Sequence, residues 1–150
     1  MLGQGGALSQ SRAGDRLLLE MLRLVRSVRI AVVDDDEALC SALVGLVRSV
    51  GCQAEPFFSA EALLMSGDLL LFDCVIADVR LPGISGLNLV VRLRDKGCRT
   101  PVILMTAMTE TRLNDEANSV GAECLLRKPF ETQALLDWIE RSVSNERPIH

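Results

Sequence analysis

Four places in this 150-residue chain carry side chains that could do chemistry. Asp34, Asp35, Asp36 and Glu37 follow directly on the apolar run "IAVV". Asp78 closes "DCVIAD", Thr106 closes "PVILMT", and Lys128 closes "ECLLRK". Like charges this crowded repel one another, so an acidic cluster after a buried strand calls for a positive partner. Close carboxylates with oxygen-only neighbours suit a hard divalent cation such as Mg²⁺. Without the metal, at least one of them should hold its proton more tightly than usual. A carboxylate can also attack phosphorus, and a metal, a lysine and a hydroxyl would stabilise charge on the equatorial phosphoryl oxygens.

These residues are useful only if the fold gathers them. "VRIAVV", "CQAEPF", "DCVIAD", "PVILMT" and "ECLLRKP" read as five short strands. The second is the weakest, and Pro56 suits its end better than a central position. Between them lie helical segments. Leu39, Leu43, Leu46 and Val50 repeat at helical spacing before Gly51, and Ser59 opens a short helix. "SGLNLVVRLRDKG" stops at Gly97, and Thr109 is placed to cap a helix in which Leu113, Ala117 and Val120 share a face. Residues 131–143 form the last helix, with Leu135, Trp138 and Ile139 on one side. Strands this apolar are covered on both faces, which predicts an α/β fold with a parallel, doubly wound sheet of five strands. Such a sheet gathers its site beyond the carboxyl ends of the strands, where Asp34, Asp35, Asp78, Thr106 and Lys128 all sit.

Composition narrows the classes. The net charge is −4, with no basic stripe of the kind nucleic acid needs. Arg16, Arg23, Arg26 and Arg29 read as a solvated helix face. Five scattered cysteines without a C-x-x-C pair argue against a disulfide framework, and the only histidine, His150, excludes a Ser-His-Asp triad. No apolar stretch is long enough to span a bilayer, and residues 1–15 lack a secretory core. The expectation is a cytoplasmic chain in three parts. Residues 1–27 form an extension with a short amphipathic helix around Leu17, Met21, Leu24, Val25 and Val28, residues 28–143 form one domain, and residues 144–150 form a tail.

With "VVDDDE", "VIADVRLPGISG", "PVILMTA" and "GAECLLRKPF" in order, the chain resembles a response-regulator receiver domain of two-component signalling. The separations from Asp35 to Asp78, Thr106 and Lys128, taken stepwise, are 43, 28 and 22 residues, which agrees with that family. The resemblance implies a flavodoxin-like sheet in the strand order 2-1-3-4-5, and that Asp78 accepts a phosphoryl group from a histidine kinase or histidine phosphotransfer protein. It implies that Asp35 binds Mg²⁺ directly, that Asp34 does so largely through water, and that Asp78 and the backbone carbonyl of Arg80 complete the set. Thr106 would meet a phosphoryl oxygen, and Lys128 would pair with Asp78 before modification and with the phosphoryl group after it. Pro82 and Gly86 would shape the loop after Asp78, and the Lys128–Pro129 bond would be cis. The family usually carries an aromatic switch residue where this chain has Leu125, so its signalling face should differ. Arg80 and Met108 would flank the phosphoryl group.

The implied function is a stand-alone phospho-acceptor that switches a protein-protein surface toward a downstream target, with a homodimer left open and no direct nucleic acid or membrane partner. It would catalyse only its own phosphorylation and dephosphorylation. Three alternatives stand beside it. Asp34 and Asp36 give the D-x-D of a haloacid-dehalogenase-type phosphatase, although Ala38 departs from that pattern. A flavin or nucleotide binder would need a phosphate cradle rich in Gly, Ser and Thr, where this loop is acidic. A degenerate receiver would bind partners without phosphorylation. Asp36 and Glu37 read as first-turn acids favoured by a helix dipole.

Overall fold

The computed structural model describes residues 27–144. The expected N-terminal helix lies almost wholly outside the described residues, as does the tail. Five parallel strands form one sheet in the order β2-β1-β3-β4-β5. They are β1 (Arg29–Val33), β2 (Gln53–Phe57), β3 (Cys74–Asp78), β4 (Val102–Thr106) and β5 (Cys124–Arg127). The helices are α1 (Glu37–Ser49), α2 (Ala60–Leu64), α3 (Gly86–Asp95), α4 (Arg112–Val120) and α5 (Thr132–Ser144). A 3₁₀ turn at Leu69–Leu71, not foreseen from the sequence, precedes β3.

The pleat sends alternate side chains to opposite faces. Ile30, Val32, Cys74, Ile76, Ile103 and Met105 build one core with Cys40, Leu43, Val44 and Val47 of α1 and Leu135 and Ile139 of α5. Ala31, Val33, Val75, Ala77, Val102 and Leu104 build the other with α2, α3 and α4. The three central strands are therefore apolar at nearly every position. Each large side chain buried here contributes about 1.5–3 kcal/mol. The edges differ. β2 is buried only at Ala54 and Phe57, which face opposite cores, and β5 is half-buried throughout. Pro56 sits opposite Val32 on the outer strand β2, where a missing N–H breaks no inner ladder.

Local chemistry fixes the helix ends. The side chains of Asp36, Ser59 and Ser85 cap α1, α2 and α3 by accepting from the backbone N–H of Leu39, Ala62 and Asn88. Asp36 is thus the N-cap of α1 and not a first-turn acid; Glu37 alone holds that position. The stripe of α1 that is buried is Cys40, Leu43, Val44 and Val47, so Leu39 and Leu46 lie at its margin and Val50 is exposed. Thr109 does not cap α4. The residue before that helix is Thr111, whose side chain makes no cap hydrogen bond.

Candidate functional site

β1 lies between β2 and β3, and the chain leaves β1 and β3 toward opposite faces through α1 and α3. That reversal opens a crevice at the carboxyl ends of β1 and β3. Asp34 and Asp35 follow β1 into it, and Asp78 is the last residue of β3. One carboxylate oxygen from each of the three lies within 4.8 Å of the others. A cleft of about 620 Å³ above them is lined by Asp35, Asp78, Arg80, Pro82, Ala107 and Met108.

Lys128 reaches in from just past the end of β5. Its Nζ donates to Asp78 Oδ2 at 2.8 Å and stands 3.5 Å from Asp34 Oδ2. The other Asp78 oxygen, Oδ1, accepts from the Arg80 backbone N–H at 3.0 Å. Asp34 is only 1% exposed, and its Oδ1 accepts from the Asp36 N–H at 2.9 Å. Its Oδ2 is buried without a hydrogen bond, since the Lys128 ammonium is near enough for attraction but too far for a good one. Burial raises the Asp34 carboxyl above the ordinary carboxylate range, and the neighbouring Asp78 charge adds to this, against the Asp36 N–H and Lys128. One acid therefore does hold its proton tightly. Lys128 is held above its ordinary value: burial pulls it down, but its hydrogen bond to Asp78 and the two acidic charges outweigh that.

Thr106 ends β4, is fully buried, and accepts from the Met108 backbone N–H at 3.0 Å. That bond leaves the hydroxyl proton for another acceptor. Gly86 opens α3 beneath Asp78, so close that a Cβ there would overlap the Asp78 carbonyl oxygen. Pro82 lies exposed in the same loop. The Lys128–Pro129 bond is cis. Leu125 faces Leu104 across the β4–β5 pairing and packs against the core shared with α3 and α4. Asp36 stays out of the acidic trio and caps α1 instead, which removes the second acid of the D-x-D reading.

Two side chains that shape the site escaped the sequence. Glu61 on α2 accepts from the Ile84 N–H at 3.0 Å and so holds the β3–α3 loop. Arg127 donates to the carbonyls of Met108 and Glu110 at 2.6 and 2.8 Å, holding the β4–α4 loop. Glu61 belongs to no motif, and Arg127 lies in "GAECLLRKPF" with no role of its own assigned there. Each is an ordinary charged residue whose importance depends on a loop more than fifteen positions away.

The donor set fits a hard cation: three convergent carboxylates, one with an orphaned buried oxygen, and no sulfur or imidazole among them. The acidic crevice, with Lys128 paired to Asp78 in it, sits at the carboxyl edge of a five-stranded doubly wound sheet. The response regulator receiver domain family model matches residues 30–140, and the chain belongs to that family. It is 38% identical over 117 residues to the transcriptional regulatory protein FixJ of Azorhizobium caulinodans, covering 78% of this chain and 56% of that protein. It is 36% identical over 114 residues to the response regulator protein TmoT of Ectopseudomonas mendocina, covering 76% of this chain and 52% of that protein. The structure of the non-phosphorylated HemR receiver domain from Leptospira biflexa superposes with a TM-score of 0.75 at 27% identity, over 83% of this chain and all of that one. The chain thus spans about half the length of the curated relatives it matches. Membership gives it the general phosphoacceptor role of two-component signalling. No helix among the described residues is long and apolar enough to cross a membrane.

Proposed function

We propose that Asp78 is the phosphoryl acceptor of a two-component relay, loaded by a histidine kinase or a histidine phosphotransfer protein. The observation that carries this reading is the 2.8 Å contact of Lys128 with Asp78, in the same crevice as the Asp34 and Asp35 carboxylates. An Asp78 carboxylate oxygen forms the new bond to phosphorus as the phosphorus–nitrogen bond of the donor phosphohistidine breaks. Asp34, Asp35, Asp78 and the backbone carbonyl of Arg80 would hold Mg²⁺. When bound, that ion supplies charge neutralisation for the incoming phosphoryl oxygens. Lys128 follows its partner from the carboxylate to a phosphoryl oxygen, and Thr106 donates its hydroxyl proton to another. The acceptor unit spans residues 28–143, acts in the cytoplasm, and delivers its state by contact with a downstream protein, with self-association among the contacts open to it. Leu125 in place of a ring makes that surface respond through packing.

Incubation with acetyl phosphate, with and without Mg²⁺, followed by intact mass, tests this. The expected result is a gain of one phosphoryl group that requires Mg²⁺ and is abolished in Asp78→Asn. No gain under any condition overturns the proposal and favours the degenerate receiver. Repeated turnover of phosphate monoesters that depends on Asp34 favours the phosphatase.

A further inference from the structure

We propose that Arg127 is a positioning residue for the switch: a latch that holds the β4–α4 loop, and through it Thr106, in the unmodified arrangement. The inference rests on the reading of Asp78 and Thr106 given above. It starts from how little else holds this loop. Residues 107–111 leave the sheet at Thr106 and enter α4 without a side-chain cap. Ala107, Thr109, Glu110 and Thr111 are exposed, and only Met108 is partly buried. Local sequence therefore does not explain its conformation.

One local bond and two long-range bonds from a single side chain do. The Met108 N–H is held by Thr106 Oγ1 at 3.0 Å. The Met108 and Glu110 carbonyls are held by Nη1 and Nη2 of Arg127 at 2.6 and 2.8 Å. The two guanidinium nitrogens form a planar fork, which fixes direction as well as distance. Arg127 is also tied to the site at its root. It pairs with Thr106 across the β4–β5 ladder, and the next residue is Lys128. The period of the strand puts Leu125 and Arg127 on one face. Leu125 packs against the core on that face, and the arginine two residues on makes the hydrogen bonds to the loop.

The consequence concerns Thr106. Thr106 does not line the cleft above Asp78, whereas Ala107 and Met108 do, so to meet a phosphoryl oxygen Thr106 and the loop bonded to it must approach Asp78. The Thr106 hydroxyl oxygen is bonded to the Met108 N–H, and the Met108 carbonyl is bonded to Arg127. Movement of Thr106 and its loop toward the cleft strains both bonds. The latch thus stabilises the unmodified state, and its release shifts the population toward the accepting one.

The test compares the wild type with Arg127→Gln and Arg127→Lys. Lysine keeps the charge and the stem but loses the fork, and it guards against a glutamine variant that folds poorly. Amide hydrogen exchange at Met108, whose N–H is bonded to Thr106 Oγ1 and whose carbonyl Arg127 holds, reads the order of the latched loop; beryllofluoride titration in the presence of Mg²⁺, followed by amide NMR, reads the switch. The expected results for Arg127→Gln are Met108 exchange at least tenfold faster, unchanged protection in β1 and β3, and a beryllofluoride Kd about tenfold lower, with Arg127→Lys in between. Met108 exchange equal to wild type, or a Kd that stays the same or rises, overturns the latch. If the wild type neither binds beryllofluoride nor gains a phosphoryl group, the Asp78 reading fails, and Met108 exchange still decides whether Arg127 holds the loop.

Discussion

The same substitution at two glycines should move stability in opposite directions. Gly45 lies in the exposed middle of α1, and a Cβ built there has nothing within 4 Å. Alanine at this position loses nothing sterically and restricts the unfolded chain, which stabilises by about 0.5–1 kcal/mol. Gly86 is the first residue of α3 and is buried against the end of β3. A Cβ there would overlap the Asp78 carbonyl oxygen and stand 2.9 Å from both the Asp78 carbonyl carbon and the Val79 Cα. These are backbone atoms at and just beyond the end of β3, so no side-chain rotation relieves the clash. Overpacking of this kind costs about 1–3 kcal/mol, and a backbone target puts Gly86→Ala at the upper end. Helix propensity returns less than about 1 kcal/mol at a first-turn position. The net expectation is about 2–3 kcal/mol of destabilisation for Gly86→Ala. For a domain of this size about 1 kcal/mol corresponds to roughly 3–6 °C, so the two variants should unfold some ten degrees or more apart. Thermal and urea unfolding followed by circular dichroism in Mg²⁺-free buffer measure this. Gly86→Ala melting at or above the wild type, or Gly45→Ala melting clearly below it, refutes the reasoning.

Three further outcomes are expected. Arg94 donates to the carbonyls of Cys98, Thr100 and Gly121 at 2.9, 2.9 and 3.1 Å, tying the end of α3 to the entry of β4 and the end of α4; Arg94→Met should cost about 1–3 kcal/mol in urea unfolding with phosphoryl uptake retained. Lys128→Met leaves Asp78 without its cation, and phosphoryl uptake from acetyl phosphate should slow at least tenfold by intact mass. Burial pushes the Cys124 thiol up to about 12 from an ordinary 9.0, aided by Glu123, so at pH 8 iodoacetamide should alkylate it about a thousandfold more slowly than a free thiol. The sign for stability follows. The native state keeps this proton where the unfolded chain releases it, so the contribution is intact below pH 9 and is lost as pH rises from there toward 12. Cys124→Ser should flatten the fall in urea midpoint between pH 9 and 10.

The alternation of the inner strands was legible because three of them are covered on both faces and carry little but apolar residues between their turns. The convergence of Asp35, Asp78, Thr106 and Lys128 followed from the same pattern, since parallel strands bring their carboxyl ends to one edge. The buried face of α1 was less legible. Leu39 and Leu46 look as good as Cys40 and Val47 by periodicity, and only the angle at which the helix meets β1 and β2 chooses between them. The cap of α4 was misjudged because Thr109 has the right chemistry in a loop whose path is set elsewhere. Arg127, which sets that path, reads in sequence as one basic residue at the end of an edge strand. Its reach to Met108 depends on the loop folding back over the end of the sheet, which no local pattern encodes.

The two ends of the sheet's upper edge are thus held by different means. At β1 and β3 the acids are placed by strand ends and fixed by the backbone N–H groups of Asp36 and Arg80, two residues beyond Asp34 and Asp78. That arrangement is stiff, since each bond closes within its own turn. At β4 Thr106 is closed in the same way by the Met108 N–H, but the loop that follows is also held by one arginine from across the ladder. A group that must stay fixed to receive phosphorus gains from the first design. A group that must move in response gains from the second, because one side chain can hold it and then let it go. On the reading proposed above, Thr106 and its loop are the half of the site expected to move, and Asp34 and Asp78 the half expected to stay.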